Sequence, residues 1–65
     1  MKRILITQRI DKVGEFKEIR DNISQDFLNM IDQLNYIPIL VPNNLNLIKN
    51  IVKSTNFEGI ILTGG

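Results

Sequence analysis

The chain contains no cysteine and no histidine, and that removes most of the side chains that carry covalent chemistry. Without them there is no thiolate nucleophile, no disulfide, no imidazole base and no sulfur or imidazole metal site. Hydroxyls remain at Ser24, Ser54 and several threonines, but no histidine is present to activate them. The carboxylates of Asp11, Glu15 and Glu18 lie near enough in sequence to pair as acid and base. Each has a lysine or arginine close by, and an exposed, mixed-charge segment does not desolvate a carboxylate as a general acid requires, so their expected role is structural. A lone Gly14 does not supply the G-x-G-x-x-G turn of a dinucleotide site. The sharper signal is Gly64-Gly65, which follows the apolar run Ile60-Ile61-Leu62 and Thr63. Paired glycines after a buried strand turn tightly and direct backbone N–H groups outward, where they can hold a phosphate or an oxyanion. The same dipeptide also serves as a plain turn.

Three apolar runs must position these residues: Ile4-Leu5-Ile6, Ile37 to Val41, and Ile60-Ile61-Leu62. Continuous β-branched runs of this kind predict parallel strands covered on both faces. Between the first two runs, Ile23, Phe27, Met30, Ile31 and Leu34 recur at steps of three and four. That spacing predicts a helix from about residue 22 to residue 35, with Asn22 as N-cap and Gln25 three residues on. Leu45, Ile48, Ile51 and Val52 repeat the helical spacing after Asn43-Asn44. These residues, with Leu47, are expected in a core rather than in a ligand site.

Strand, helix, strand, helix, strand is the order of a right-handed parallel α/β unit. Pro38 cannot donate to a sheet ladder and Pro42 closes its run, so the second strand belongs at a sheet edge. The resulting spatial order is 2-1-3, with a topological switch point between strands one and three. Ligands in open α/β sheets bind beyond the carboxyl ends of the strands at such a point. Thr7-Gln8-Arg9 and Thr63-Gly64-Gly65 converge there. The connection from Thr7 to Asp21 carries eight of the fifteen charges and is longer than an ordinary βα loop. It reads either as a substrate-facing loop or as a solvated face, part of which (residues 15–20) extends the following helix.

Eight basic and seven acidic residues, with Tyr36, Phe16, Phe27 and Phe57 as the aromatics, supply neither a one-signed patch nor a stacking platform, so nucleic acid is not an expected partner. The apolar run after Met1-Lys2-Arg3 is far too short for a signal-peptide core, and no stretch approaches a membrane span. A cytoplasmic, soluble protein without membrane contact is expected. At 65 residues a chain buries only about 60% of its unfolded surface, which leaves a small core. Strand three would then present an open apolar edge, a route to self-association.

The segments "ILITQR" (residues 4–9), "EIRD" (18–21), "YIPILVPNN" (36–44) and "FEGIILTGG" (57–65) resemble the N-terminal part of class I glutamine amidotransferase-like proteins. Within that group the chain most resembles the γ-glutamyl hydrolase branch, peptidase family C26. The resemblance spans essentially all 65 residues in order; its most specific pieces are residues 59–65 and 6–9. The ITQR and EIRD pair is also similar to a subgroup acting on γ-glutamyl nucleotide amidates in surface-sugar pathways.

The resemblance implies a three-layer flavodoxin-like fold of which residues 1–65 form the first β-α-β-α-β, a fragment of one domain. It implies a cysteine thioester mechanism on a γ-glutamyl amide, with a histidine and an acidic residue as the base pair, no cofactor and no metal. Gly65 would give a backbone N–H to the oxyanion hole and Gly64 would shape its turn. Gln8, Arg9 and Arg20 would be candidates for contacting the small-molecule substrate. Because the cysteine, histidine and acidic partner are not among these residues, the chain by itself is expected to be inactive. The alternative is a non-enzymatic flavodoxin-like module that binds a phosphate or nucleotide at the same switch point.

Overall fold

The computed structural model describes residues 1–63; Gly64 and Gly65 lie outside the described residues. The elements run β1 (Lys2–Thr7), β2 (Arg9–Val13), β3 (Glu18–Asn22), α1 (Gln25–Gln33), β4 (Tyr36–Val41), α2 (Leu45–Ser54) and β5 (Gly59–Ile61). The chain is a small α/β domain. Its main sheet has three parallel strands in the order β4-β1-β5, which is the predicted order with the second apolar run at one edge. Pro38 lies opposite Ile4, on a strand whose other side is open, where a missing N–H does not interrupt a central ladder.

Leu5 and Ile6 are adjacent on the central strand and therefore point to opposite faces. Both are almost wholly buried, so both faces of β1 are covered. The β1-to-β4 and β4-to-β5 connections run in opposite directions across the sheet, so right-handed crossovers place their helices on opposite faces, and this accounts for the double burial. Ile31 of α1 and Val41 of β4 complete the buried set among the described residues. The edge strands depart from the expectation of cover on both faces. Both helices pack mainly against β4 and neither packs substantially against β5, which leaves Ile37, Leu40, Ile60 and Leu62 exposed. Helices of nine and ten residues are too few to roof three strands on two sides. The helical stripes are only partly buried for the same reason: Met30, Leu34, Leu45 and Val52 remain exposed.

The segment after β1 corrects the sequence expectation most. Residues 9–22 form neither an irregular loop nor a helical extension but an antiparallel hairpin, with Arg9 opposite Asn22 and Val13 opposite Glu18. Gly14 and Lys17 both take positive φ, 83° and 52°, and the Lys17 N–H donates to the Gly14 carbonyl at 3.1 Å. Glycine suits the first of these positions because a Cβ there forces a strained backbone. Residues opposite one another in an antiparallel pair share a face, so Ile10 and Ile19 lie together with Lys12 and Asp21, while Arg9, Asp11 and Arg20 lie on the other side.

The hairpin also moves the start of α1. Asn22 ends β3 instead of capping the helix, and Ser24 becomes the N-cap residue. At the other end Asn35 adopts φ 63°, an αL residue that reverses the chain into β4. Asn44 caps α2 as its type predicts, accepting from the Leu47 N–H at 3.1 Å. Among the described residues no helix is long and apolar enough to cross a membrane.

Candidate functional site at the carboxyl edge of the sheet

The site is built where β1 and β5 end side by side. Three residues of pairing hold β5 to β1, and polar contacts at both ends lengthen that grip. At the amino end the Arg3 N–H donates to Glu58 Oε2 and the Glu58 N–H donates to the Arg3 carbonyl, both at 2.8 Å. At the carboxyl end Thr7 and Thr63 form a reciprocal clasp. The Thr63 N–H donates to Thr7 Oγ1 at 2.9 Å, and Thr63 Oγ1 donates to the Thr7 carbonyl at 2.6 Å. The Thr7 hydroxyl also reaches the Ile61 carbonyl at 3.5 Å, a weak contact at the limit of hydrogen bonding. The clasp fixes where the chain stands as it leaves β5, immediately before Gly64.

A second polar cluster ties the hairpin and the β4–α2 connection to the same edge. The Gln8 side-chain amide donates to the Val41 carbonyl at 3.1 Å. Asn43 Nδ2 donates to the Gln8 carbonyl at 2.9 Å and to Asp21 Oδ1 at 2.8 Å, and the Asn43 N–H donates to Asp21 Oδ2 at 3.2 Å. Asn22 Nδ2 donates to the Asp11 carboxylate across the hairpin. Asparagine pairs one donor with several acceptors here because its amide carries two N–H groups. Asn43 is thus the joint between three segments distant in sequence.

Between the hairpin base, the start of α1 and the end of β5 lies a cleft of about 330 Å³. Its polar walls are Arg9, Ser24 and Thr63, and its apolar walls are Ile23, Phe27, Ile61 and Leu62. It occupies the switch-point position that strand order alone picks out.

Of the residues singled out in the sequence, Arg9 lines this cleft. Gln8 does not; its side chain holds the ends of β1 and β4 together. Arg20 does not either. It lies on β3 and pairs with Glu18 at 2.9 Å, with both side chains largely in solvent, and such a pair contributes little to stability. Gly64 and Gly65 lie outside the described residues. Thr63, which the strand order brings to the switch point with the glycines, lines the cleft as well. Ser24 and Phe27 are the lining residues that the sequence does not point to: Ser24 reads there as a hydroxyl with no base to activate it, and Phe27 as part of a core stripe. Among the described residues no three carboxylates gather as a metal ion would require.

No protein-family model, curated protein or solved structure matches the chain.

Proposed function

We propose that residues 1–65 are the N-terminal part of a three-layer, flavodoxin-like class I glutamine amidotransferase-like domain of the γ-glutamyl hydrolase branch, acting in the cytoplasm. The observation that supports this most is the Thr7–Thr63 clasp at the carboxyl edge of a β4-β1-β5 sheet. An oxyanion donor must be held still before charge develops on the substrate carbonyl, and two reciprocal hydrogen bonds one residue before Gly64 provide such an anchor.

On this reading a cysteine outside these residues attacks the γ-glutamyl carbonyl, a histidine returns its proton to the leaving amine, and water cleaves the resulting thioester. The chain's own part is to present the Gly65 N–H to the carbonyl oxygen and to offer Arg9 to an acidic group of the substrate, of which a γ-glutamyl nucleotide amidate is one candidate. The isolated chain, with neither cysteine nor histidine, hydrolyses no γ-glutamyl amide and self-associates through the open edge of β5. A second reading, a non-enzymatic flavodoxin-like module for a phosphate or nucleotide, draws support from Arg9 and Ser24 as cleft-lining donors.

The coding sequence that follows codon 65 separates the two. The amidase reading expects a cysteine at a strand-to-helix elbow and a later His-x-Glu pair in one of its frames; unrelated sequence there removes it. Tight nucleotide binding by a longer product that lacks amidase activity favours the second reading.

A further inference from the structure

The polar groups of the cleft differ in what they have left to give. Thr63 is engaged, since its N–H and its hydroxyl both donate to Thr7. Ser24 is not. It stands at the N-cap of α1, yet its side chain makes no capping hydrogen bond. Arg9 has no ion-pair partner among the described residues, where the one pair is Arg20 with Glu18. The two disengaged groups of the cleft lining are therefore a guanidinium, which is always charged and donates in a planar fork, and a hydroxyl able to donate. The other walls are hydrocarbon: Ile23, Phe27, Ile61 and Leu62.

A wall with one fixed positive charge facing apolar side chains suits a molecule with two unlike ends. We infer that the cleft binds a small amphipathic monocarboxylate, its carboxylate on Arg9 and Ser24 and its aliphatic or aromatic body against Phe27, Ile23 and Ile61. A carboxylate matches a single guanidinium in both charge and bidentate geometry. A doubly charged phosphate would have only one of its two charges met by the single guanidinium. A volume of about 330 Å³ stands at the small end of the roughly 300–1,000 Å³ range of ligand clefts, the scale of a metabolite. The inference needs no amide cleavage. Carboxylate binding here with no cysteine elbow encoded downstream would leave it standing and remove the amidase reading, and the reverse combination would do the opposite.

Titration of the unaltered 65-residue chain with 4-phenylbutyrate, followed in amide 1H–15N spectra, tests both ends of the ligand at once. Saturable shifts are expected at Arg9, Ser24, Phe27 and residues 61–63. The neutral analogue 4-phenylbutyramide, which lacks the charge, should bind about tenfold more weakly or worse, given what a hydrogen bond to a charged group contributes. Acetate, which lacks the body, should weaken by a similar factor. Arg9→Gln should reproduce the loss seen with the amide while leaving the rest of the spectrum in place, because the exposed Arg9 side chain has no ion pair to forfeit. Equal affinity for acid and amide overturns the inference. So do shifts centred on the hairpin tip at Phe16, and so does the absence of any saturable shift, whether or not the amides are dispersed.

Discussion

Replacing Thr7 by valine removes one hydroxyl from the carboxyl edge of β1 and leaves the β-branched shape in place. The hydroxyl accepts from the Thr63 N–H at 2.9 Å, and its 3.5 Å contact with the Ile61 carbonyl is too long to count for much. One such hydrogen bond contributes about 1 kcal/mol net, and an orphaned, part-buried N–H adds to the cost to the extent that water cannot reach it. The expected loss is therefore about 1–2 kcal/mol. At roughly 0.05–0.15 kcal/mol per residue, a 65-residue domain has only about 3–10 kcal/mol in total, so the change is large in proportion. Urea unfolding followed by far-ultraviolet circular dichroism reads it directly. With a slope near the lower end for small proteins, about 1 kcal/mol per molar urea, the midpoint should fall by about 1–2 M. Hydrogen exchange at the Thr63 amide should accelerate, while Thr7→Ser, which keeps the hydroxyl, should retain most of its protection. An unchanged midpoint together with unchanged protection at Thr63 would show that the clasp does not hold β5, and the anchoring role assigned to it would fail.

Substitutions at three further positions probe the elements around the site. Ile6 is fully buried on the central strand, so Ile6→Ala should cost about 2–5 kcal/mol and lower the urea midpoint by about 2–5 M at the same slope, whereas Leu62→Ala, at a side chain 78% exposed, should change the urea midpoint little. Asn44→Ala removes the side-chain acceptor of the Leu47 N–H and should cost about 1 kcal/mol in the same assay, with Asn44→Ser restoring most of it; equal midpoints for the two variants would mean that the cap contributes nothing.

Much of the main sheet could be read from the residues alone. Three continuous β-branched runs and two helical spacings give the parallel strands and their helices, and the two prolines put the second run at an edge. The hairpin was hidden by its composition. Arg9–Val13 and Glu18–Asn22 do alternate around Ile10 and Ile19, and Gly14 marks the turn, but eight charges in the connection read as a solvated loop because no apolar face demands burial. The identity of the α1 cap is hidden with it: once Asn22 is paired in β3, the N-cap falls two residues later, at Ser24, and the helix begins at Gln25.

The candidate site divides in the same way. Topology locates a crevice at the ends of β1 and β5 before any coordinate is known, because a change in crossover direction opens the sheet there. It cannot say which nearby polar side chains are already engaged. Gln8 and Arg9 are neighbours with similar claims, and only packing turns Gln8 toward Val41 and leaves Arg9 on the cleft wall.

The sequence by itself determined the strand order and the absence of thiol and imidazole chemistry, since periodicity, proline geometry and residue type act locally. Tertiary structure alone decided that Thr7 meets Thr63, that Asn43 joins Gln8 to Asp21, and that Arg9 and Ser24 share a cleft with Phe27. Hydrogen bonds between residues 56 positions apart depend on how the sheet registers and where the hairpin projects, and no local pattern encodes either.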